Sequence, residues 1–314
     1  MKTNQLIIGA ILSLLSLSQI NAQEQEATTK SNIQNYTPSK LLGKGKWDLK
    51  FFNGLYTQTK STLGGSSEVS EADRENYFTN TNEIYTGISN NSRVNIGLIV
   101  QIRSNTFSDR SPLTVFNFED NTTDARSGLT TIAPSIRFQP FKSIANFSVT
   151  SSFYLPVFET VSNSKFTGSA GVLYLDQKSF AWENRFFYDT TFGDDKWQVF
   201  SGLDLKYNFG KNGEDADSSD NTKELFANDS LFTNATVFLS YFPSSKVTVY
   251  VNVGQTFLID INNDFGQNGT NGGFGIKYQL TDALNIESGY SKIFRGHNFQ
   301  GLGSTFSLGL RAIL

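Results

Sequence analysis

The chain has 314 residues with no cysteine, one histidine, 28 phenylalanines, 12 tyrosines and a formal net charge of −3. The missing thiols exclude disulfide frameworks and thiolate sites, one histidine excludes a multi-histidine metal site within one chain, and the charge gives no reason to expect nucleic acid as a partner. A mean hydropathy of −0.29 excludes a helical membrane bundle, but not a β-barrel, in which only alternate residues face lipid.

Residues 1–22 read as a secretory signal peptide. Lys2 gives the positive start, LIIGAILSLLSL the apolar run, and Ile20-Asn21-Ala22 a cleavage site before Gln23. That run is short for a membrane-spanning helix. Residues 23–44 are polar and unpatterned, a short periplasmic tail rather than a domain.

Strand-like segments then follow near 46–59, 76–88, 93–104, 128–139, 144–156, 179–191, 197–209, 231–242, 247–258, 271–280, 283–294 and 302–314. Short links at 89–92, 140–143, 192–196, 243–246 and 281–282 alternate with links that are mostly long and polar. This asymmetry is that of a transmembrane barrel with short periplasmic turns and long external loops. The expected fold is therefore all-β: a single 12-stranded antiparallel transmembrane β-barrel over residues 45–314, in the cell outer membrane.

Within segments, the two faces differ. Val94, Ile96, Leu98, Val100 and Ile102 oppose Arg93, Asn95, Gly97, Gln101 and Arg103, and Val247, Val249, Val251 and Val253 oppose Thr248, Tyr250, Asn252 and Gly254. Two segments are ambiguous. In 76–88, Asn80, Asn82 and Ile84 share one side, so the lipid face is undecided; in 128–139, Pro134 removes a ladder donor, and a bulge is expected there.

The hairpin 179–209 is the clearest. Trp182, Tyr207, Phe180 and Phe209 lie at one end of its apolar face, and Tyr188 and Trp197 at the other, as interfacial girdles do. Pairing Phe192 with Trp197 around 193–196 places Arg185 opposite Asp204 and Glu183 opposite Lys206. The alternative register opposes Glu183 to Asp204, two like charges, and is disfavoured. A ladder of ion pairs on the inner wall is expected, with Arg185 as the partner of Asp204.

With apolar faces turned to lipid, Lys50, Arg103, Arg137, Glu183, Arg185, Asp204, Lys206, Lys277, Glu287 and Arg311 become candidates to line the lumen. Phe52, Tyr56, Tyr154 and Phe238 also fall inward, which suits an apolar or aromatic solute. Two readings of such a lumen stand. One is a narrow, mixed-charge channel or passive transporter for a small solute. The other is a salt-bridged, non-conducting barrel with a structural, adhesion or secretion-associated role.

Over residues 45–314 the chain resembles Gram-negative outer-membrane β-barrels. The segments GLTTIAPSIRFQPF (128–141) and LDQKSFAWENRFFYDTTFGDDKWQVF (175–200) are similar to bacteroidete-type barrels of the phenol meta-pathway outer-membrane transporter-like family. That resemblance implies porin-like transport of small, often apolar compounds. It also implies outer-membrane lipid, lipopolysaccharide and the barrel-assembly machinery as partners, and it carries over no functional residue.

Enzymatic motifs are missing. His297 stands alone in RGHNFQG, without a nucleophile at a useful spacing, so neither catalysis nor a cofactor is expected. Asp260-Ile261-Asn262-Asn263-Asp264 offers oxygens at alternate positions. However, Phe265 replaces the glycine that a calcium loop requires, and no metal site is expected.

Overall fold

The computed structural model describes residues 39–62, 65–119, 123–159, 164–165, 172–210, 227–261 and 266–314. The expected signal peptide, residues 23–38 of the expected tail and residues 262–264 of the Asp260–Asp264 stretch lie outside them. Twelve strands form one closed antiparallel barrel: β1 (Trp47–Ser61), β2 (Ser70–Gly87), β3 (Val94–Thr106), β4 (Ala125–Phe138), β5 (Phe147–Pro156), β8 (Ala181–Phe192), β9 (Trp197–Asn208), β10 (Ser230–Ser244), β11 (Val247–Asp260), β12 (Gln267–Gln279), β13 (Leu284–His297) and β14 (Ser304–Ile313). The ring closes between β1 and β14, with Phe52 opposite Gly309, so no strand edge is left unpaired. Two further strands of two residues each, β6 (Ser164–Lys165) and β7 (Val172–Leu173), pair in parallel within the long β5–β8 connection.

The exterior follows from the alternation. Ile96, Leu98, Val237, Val249, Val251, Val253, Phe274, Ile276 and Leu308 are exposed large apolar side chains, the composition of a lipid-facing belt. Aromatic groups ring both ends of it. Phe153 stacks on Phe180 with centroids 6.1 Å apart near the long loops, and Trp197 meets Tyr241 at 4.7 Å near the short turns. The opening hairpin has the expected register, Phe192 with Trp197 and Arg185 with Asp204. Its turn runs through positive φ at Gly193, Asp194 and Asp195 (61°, 55° and 60°), a conformation that glycine and aspartate tolerate better than other residues.

The ambiguous segments are now settled. In β2, Asn80 pairs with outward-facing Asn53 of β1, and Glu83 pairs with Lys50. Asn80, Asn82 and Ile84 therefore face lipid, and Glu83 and Tyr85 face the lumen. The bulge expected at Pro134 sits four residues away. The β3–β4 register shifts past Thr130, while Pro134 stays opposite Leu98. On its other side, the β4–β5 ladder lacks pairs between Ile132–Leu155 and Ser135–Ser152 yet keeps its register. Proline thus leaves a gap in one ladder, and the sheet absorbs it without an inserted residue. Pro134→Val should restore a ladder donor and raise stability by about 1 kcal/mol, read as a later midpoint in urea unfolding of the refolded protein.

Two segments enter the barrel from its ends. Residues 39–44 are more than a free tail: Leu41 and Leu42 are buried, and Leu42, 2% exposed, clusters with Tyr85 and Ile313 at the short-turn end. The Asn95 side chain fixes both backbone groups of Leu42, accepting from its N–H at 3.0 Å and donating to its carbonyl at 3.1 Å. At the other end, Asn105 donates to the carbonyls of Tyr174 and Leu175, both at 2.9 Å, and holds the chain after β7 against the inner wall.

Candidate functional site

Strand pairing turns all ten charged candidates toward the inside of the barrel, but their partners differ from the expected ladder. The densest cluster lies just above Leu42, on β1, β2, β4, β8 and β14. Arg311 grips Asp48 with two nitrogens, at 2.7 and 2.8 Å. Lys50 bonds Glu83 at 2.8 Å and lies 3.9 Å from Asp48. Arg137 bridges the two acids, 3.7 Å from Asp48 and 3.6 Å from Glu83, with its guanidinium 4.0 Å from the Tyr85 ring centre.

Arg185 departs furthest from expectation. It stands opposite Asp204 in the ladder, yet its guanidinium lies 3.4 Å from Glu83, on a strand four positions around the ring, and 3.4 Å from Glu183. The side chain is long enough to span a chord of the lumen and reach a more buried, more acidic site. Asp204 accepts a bond from Asn234 instead, at 3.0 Å. Lys206 sits 4.8 Å over the Tyr154 ring, and Tyr154 donates to Glu183 at 2.6 Å. Cross-strand opposition is therefore realised here as a cross-lumen strut.

Buried charges are costly unless paired. In this cluster Lys50, Arg137, Arg185 and Arg311 face Asp48, Glu83 and Glu183, and each of the seven has an opposite charge within 4.0 Å. The remaining candidates are peripheral. Lys277 pairs with Glu287 at 3.2 Å on β12 and β13, beside the Arg311 strand β14, and Arg103 pairs with Asp176 at 3.1 Å near the long loops.

Two residues of the cluster were absent from the candidate set, Asp48 and Glu83. Asp48 shares the parity of Lys50, so alternation alone points it inward. Glu83 was hidden by the undecided face of β2.

Nearer the short turns than Arg185 and Asp204, the wall of β8–β11 is aromatic. Phe187, Phe200, Phe238 and Tyr250 run strand to strand with centroids 5.8, 5.7 and 5.5 Å apart. Three inward glycines underlie inward rings. A Cβ on Gly275 would come within 2.4 Å of the Tyr250 ring, one on Gly309 within 2.4 Å of Phe52, and one on Gly202 within 3.6 Å of Phe187. Rings thus occupy the space that side chains would take at these bare positions, and along the row they meet first stacked and then edge to face. His297 ends β13 with Nδ1 3.1 Å from Ser67 Oγ. Among the described residues no group of three or more metal-binding side chains occurs.

No protein-family profile and no curated protein sequence matches the chain. Solved structures do. An outer membrane channel from Pseudomonas putida F1 superposes with a TM-score of 0.62 at 12% identity, covering 88% of this chain and 98% of that one. The β-domain of the Bordetella autotransporter BrkA gives 0.52 at 11% identity, covering 85% and 98%. At such identities the likeness is one of fold. The closed twelve-stranded ring, its apolar exterior and this likeness make the chain an outer-membrane β-barrel.

Proposed function

We propose that the barrel is a gated outer-membrane channel for a small, flat, partly apolar solute, with its short turns in the periplasm. The observation that carries this reading is the aromatic row on β8–β11. Its four rings touch in sequence along one wall, and Phe187 and Tyr250 lie over bare glycine positions where other side chains would interdigitate. An aromatic or alicyclic solute fits such a wall through offset stacking, worth about 1 kcal/mol per ring. Residues 39–44 and the charged layer close the periplasmic end in this conformation, so passage requires one or both to shift. The neighbouring channel fold is compatible with this reading, and so is the autotransporter fold.

The closed charged layer also favours a second reading, a non-conducting structural or secretion-associated barrel. Single-channel recording in planar bilayers separates the two. A channel gives discrete current steps that benzyl alcohol interrupts. With Phe200→Ala and Phe238→Ala combined, half-block should need about thirtyfold more alcohol, the equivalent of two lost ring contacts. Persistent silence of correctly refolded protein would favour the structural barrel. Neither reading gives the chain an enzymatic role.

A further inference from the structure

We propose that two copies of this chain meet in the membrane across the outer face of β1 and β2, around Asn82. The face carries a polar line where lipid is expected. Asn82 Nδ2 donates to Asn80 Oδ1 at 2.7 Å, Asn80 Nδ2 to Asn53 Oδ1 at 3.0 Å, and Asn53 Nδ2 to the Leu308 carbonyl at 3.2 Å. Asn53 lies six residues above Trp47, which at a strand rise of ~3.3 Å and a tilt of ~40° is roughly 15 Å, near mid-bilayer. Its outward neighbours across the ladders, Ile102 and Val100 of β3 beside Asn80 and Asn82, are aliphatic. Elsewhere the outward positions are mainly valine, isoleucine, leucine and aromatic side chains, with separate polar residues such as Asn184 and Gln255 that form no such line.

The line is satisfied internally except at its last member. Asn80 is 6% exposed, with its amide and carbonyl both engaged. Asn82 is half-buried; its Oδ1 accepts no bond, and one hydrogen of Nδ2 remains undonated. A carboxamide with one acceptor and one donor free complements its own copy, since each can give what the other lacks. Hydrocarbon supplies neither, and small amide side chains hold membrane segments together for this reason.

A shoulder above the line points the same way. The short 3-10 helix Pro112–Asn117 folds down over the long-loop ends of β2 and β3. Val115 is fully buried, Ser104 Oγ donates to its carbonyl at 2.6 Å, and Phe116 and Phe118 pack on outward-facing Phe78 at 5.1 and 6.0 Å. Arg110 anchors the loop to Glu119 and Asp124, and its hydrogen bond to Glu119 holds that carboxyl below the usual range. Leu113 is nevertheless 66% and Phe116 49% exposed on this side of the barrel. In a two-fold pair about the membrane normal, shoulder meets shoulder and Asn82 meets Asn82, an isologous contact in which every group faces its own kind.

The chain has no cysteine, so single cysteines report this contact cleanly. Leu113→Cys, on the shoulder and with Asn82 retained, in outer membranes treated with copper-phenanthroline, should give a covalent dimer. Val237→Cys, on the diametrically opposite strand β10, should give at least tenfold less. In detergent, sedimentation equilibrium should give twice the chain mass for the wild type and the chain mass for Asn82→Leu, with the same circular dichroism. Equal dimer at both positions would overturn the proposal. So would absence of dimer at position 113, an adduct there of another mass, or a wild type that sediments as a monomer.

Discussion

Glu83→Ala should convert the barrel to a less stable and more anion-selective form. Glu83 accepts from Lys50 at 2.8 Å and lies 3.6 Å from Arg137 and 3.4 Å from Arg185. Removing one partner from a buried pair leaves uncompensated charge, at a cost of about 3 to 5 kcal/mol. The low end applies here, because Asp48 stays within reach of Lys50 and Arg137, and Glu183 within reach of Arg185. A loss of about 3 kcal/mol should appear as an earlier urea-unfolding midpoint with an unchanged slope. The selectivity effect follows from counting: four cations facing three anions become four facing two. Reversal potentials in a salt gradient should therefore move toward anions. Glu83→Gln keeps the shape and two polar atoms but removes the charge, so it should keep most of the selectivity change with a smaller stability loss. Unchanged selectivity in both variants would mean that current, if any, bypasses this layer.

The barrel itself was legible because its signals are local and repeated. Twelve alternating segments and an asymmetry of link lengths depend on neighbours in sequence, and each strand carries its own copy of the pattern. The hairpin register was legible for the same reason, since a two-residue slip would oppose Glu183 to Asp204. What the residues could not disclose is where a long side chain goes once it is inside. Opposition on adjacent strands suggested Arg185 with Asp204, but a guanidinium reaches several ångströms past its own pair, and the chord to Glu83 exists only after the ring closes. Asn80 and Asn82 show a different limit. Alternation assumes that polar means inward, and here the polar residues sit on the lipid side, satisfied mostly by one another. The 39–44 segment was read as a free tail because two leucines among polar residues have no period. Their burial depends on a cavity that twelve other segments build.

Gly87→Ala should open the periplasmic end. Gly87 closes β2 beneath the inserted segment, and its Cα faces the backbone of Leu42 and Gly43. A Cβ there would stand 2.1 Å from the Gly43 carbonyl oxygen, 2.6 Å from its carbon and 2.7 Å from the Leu42 carbonyl oxygen. No rotamer relieves a clash with backbone, so one chain must move by more than 1 Å. Gly87 is fixed opposite Asn95 in the β2–β3 ladder, whereas residues 39–44 belong to no strand. The inserted segment is held by burial of the Leu41 and Leu42 side chains, about 2 kcal/mol each, and by the two Asn95 bonds and the Gln139 bond to the Ser39 carbonyl, about 1 kcal/mol each. The segment can leave without breaking a barrel ladder, whereas moving Gly87 would break its pairing with Asn95, so the segment should be the part that leaves. Leu42 would then lose Tyr85 and Ile313, and water would reach the charged layer from below. Single-channel records should show longer open times than wild type, and protease added from the periplasmic side should cleave near residue 42 while the barrel stays intact. Asn95→Ala should act in the same direction more weakly, because it loosens the segment without excluding it. If Gly87→Ala releases the segment and current still fails to rise, the gate is the charged layer, and the same recording on Gly87→Ala combined with Glu83→Ala should then show the increase.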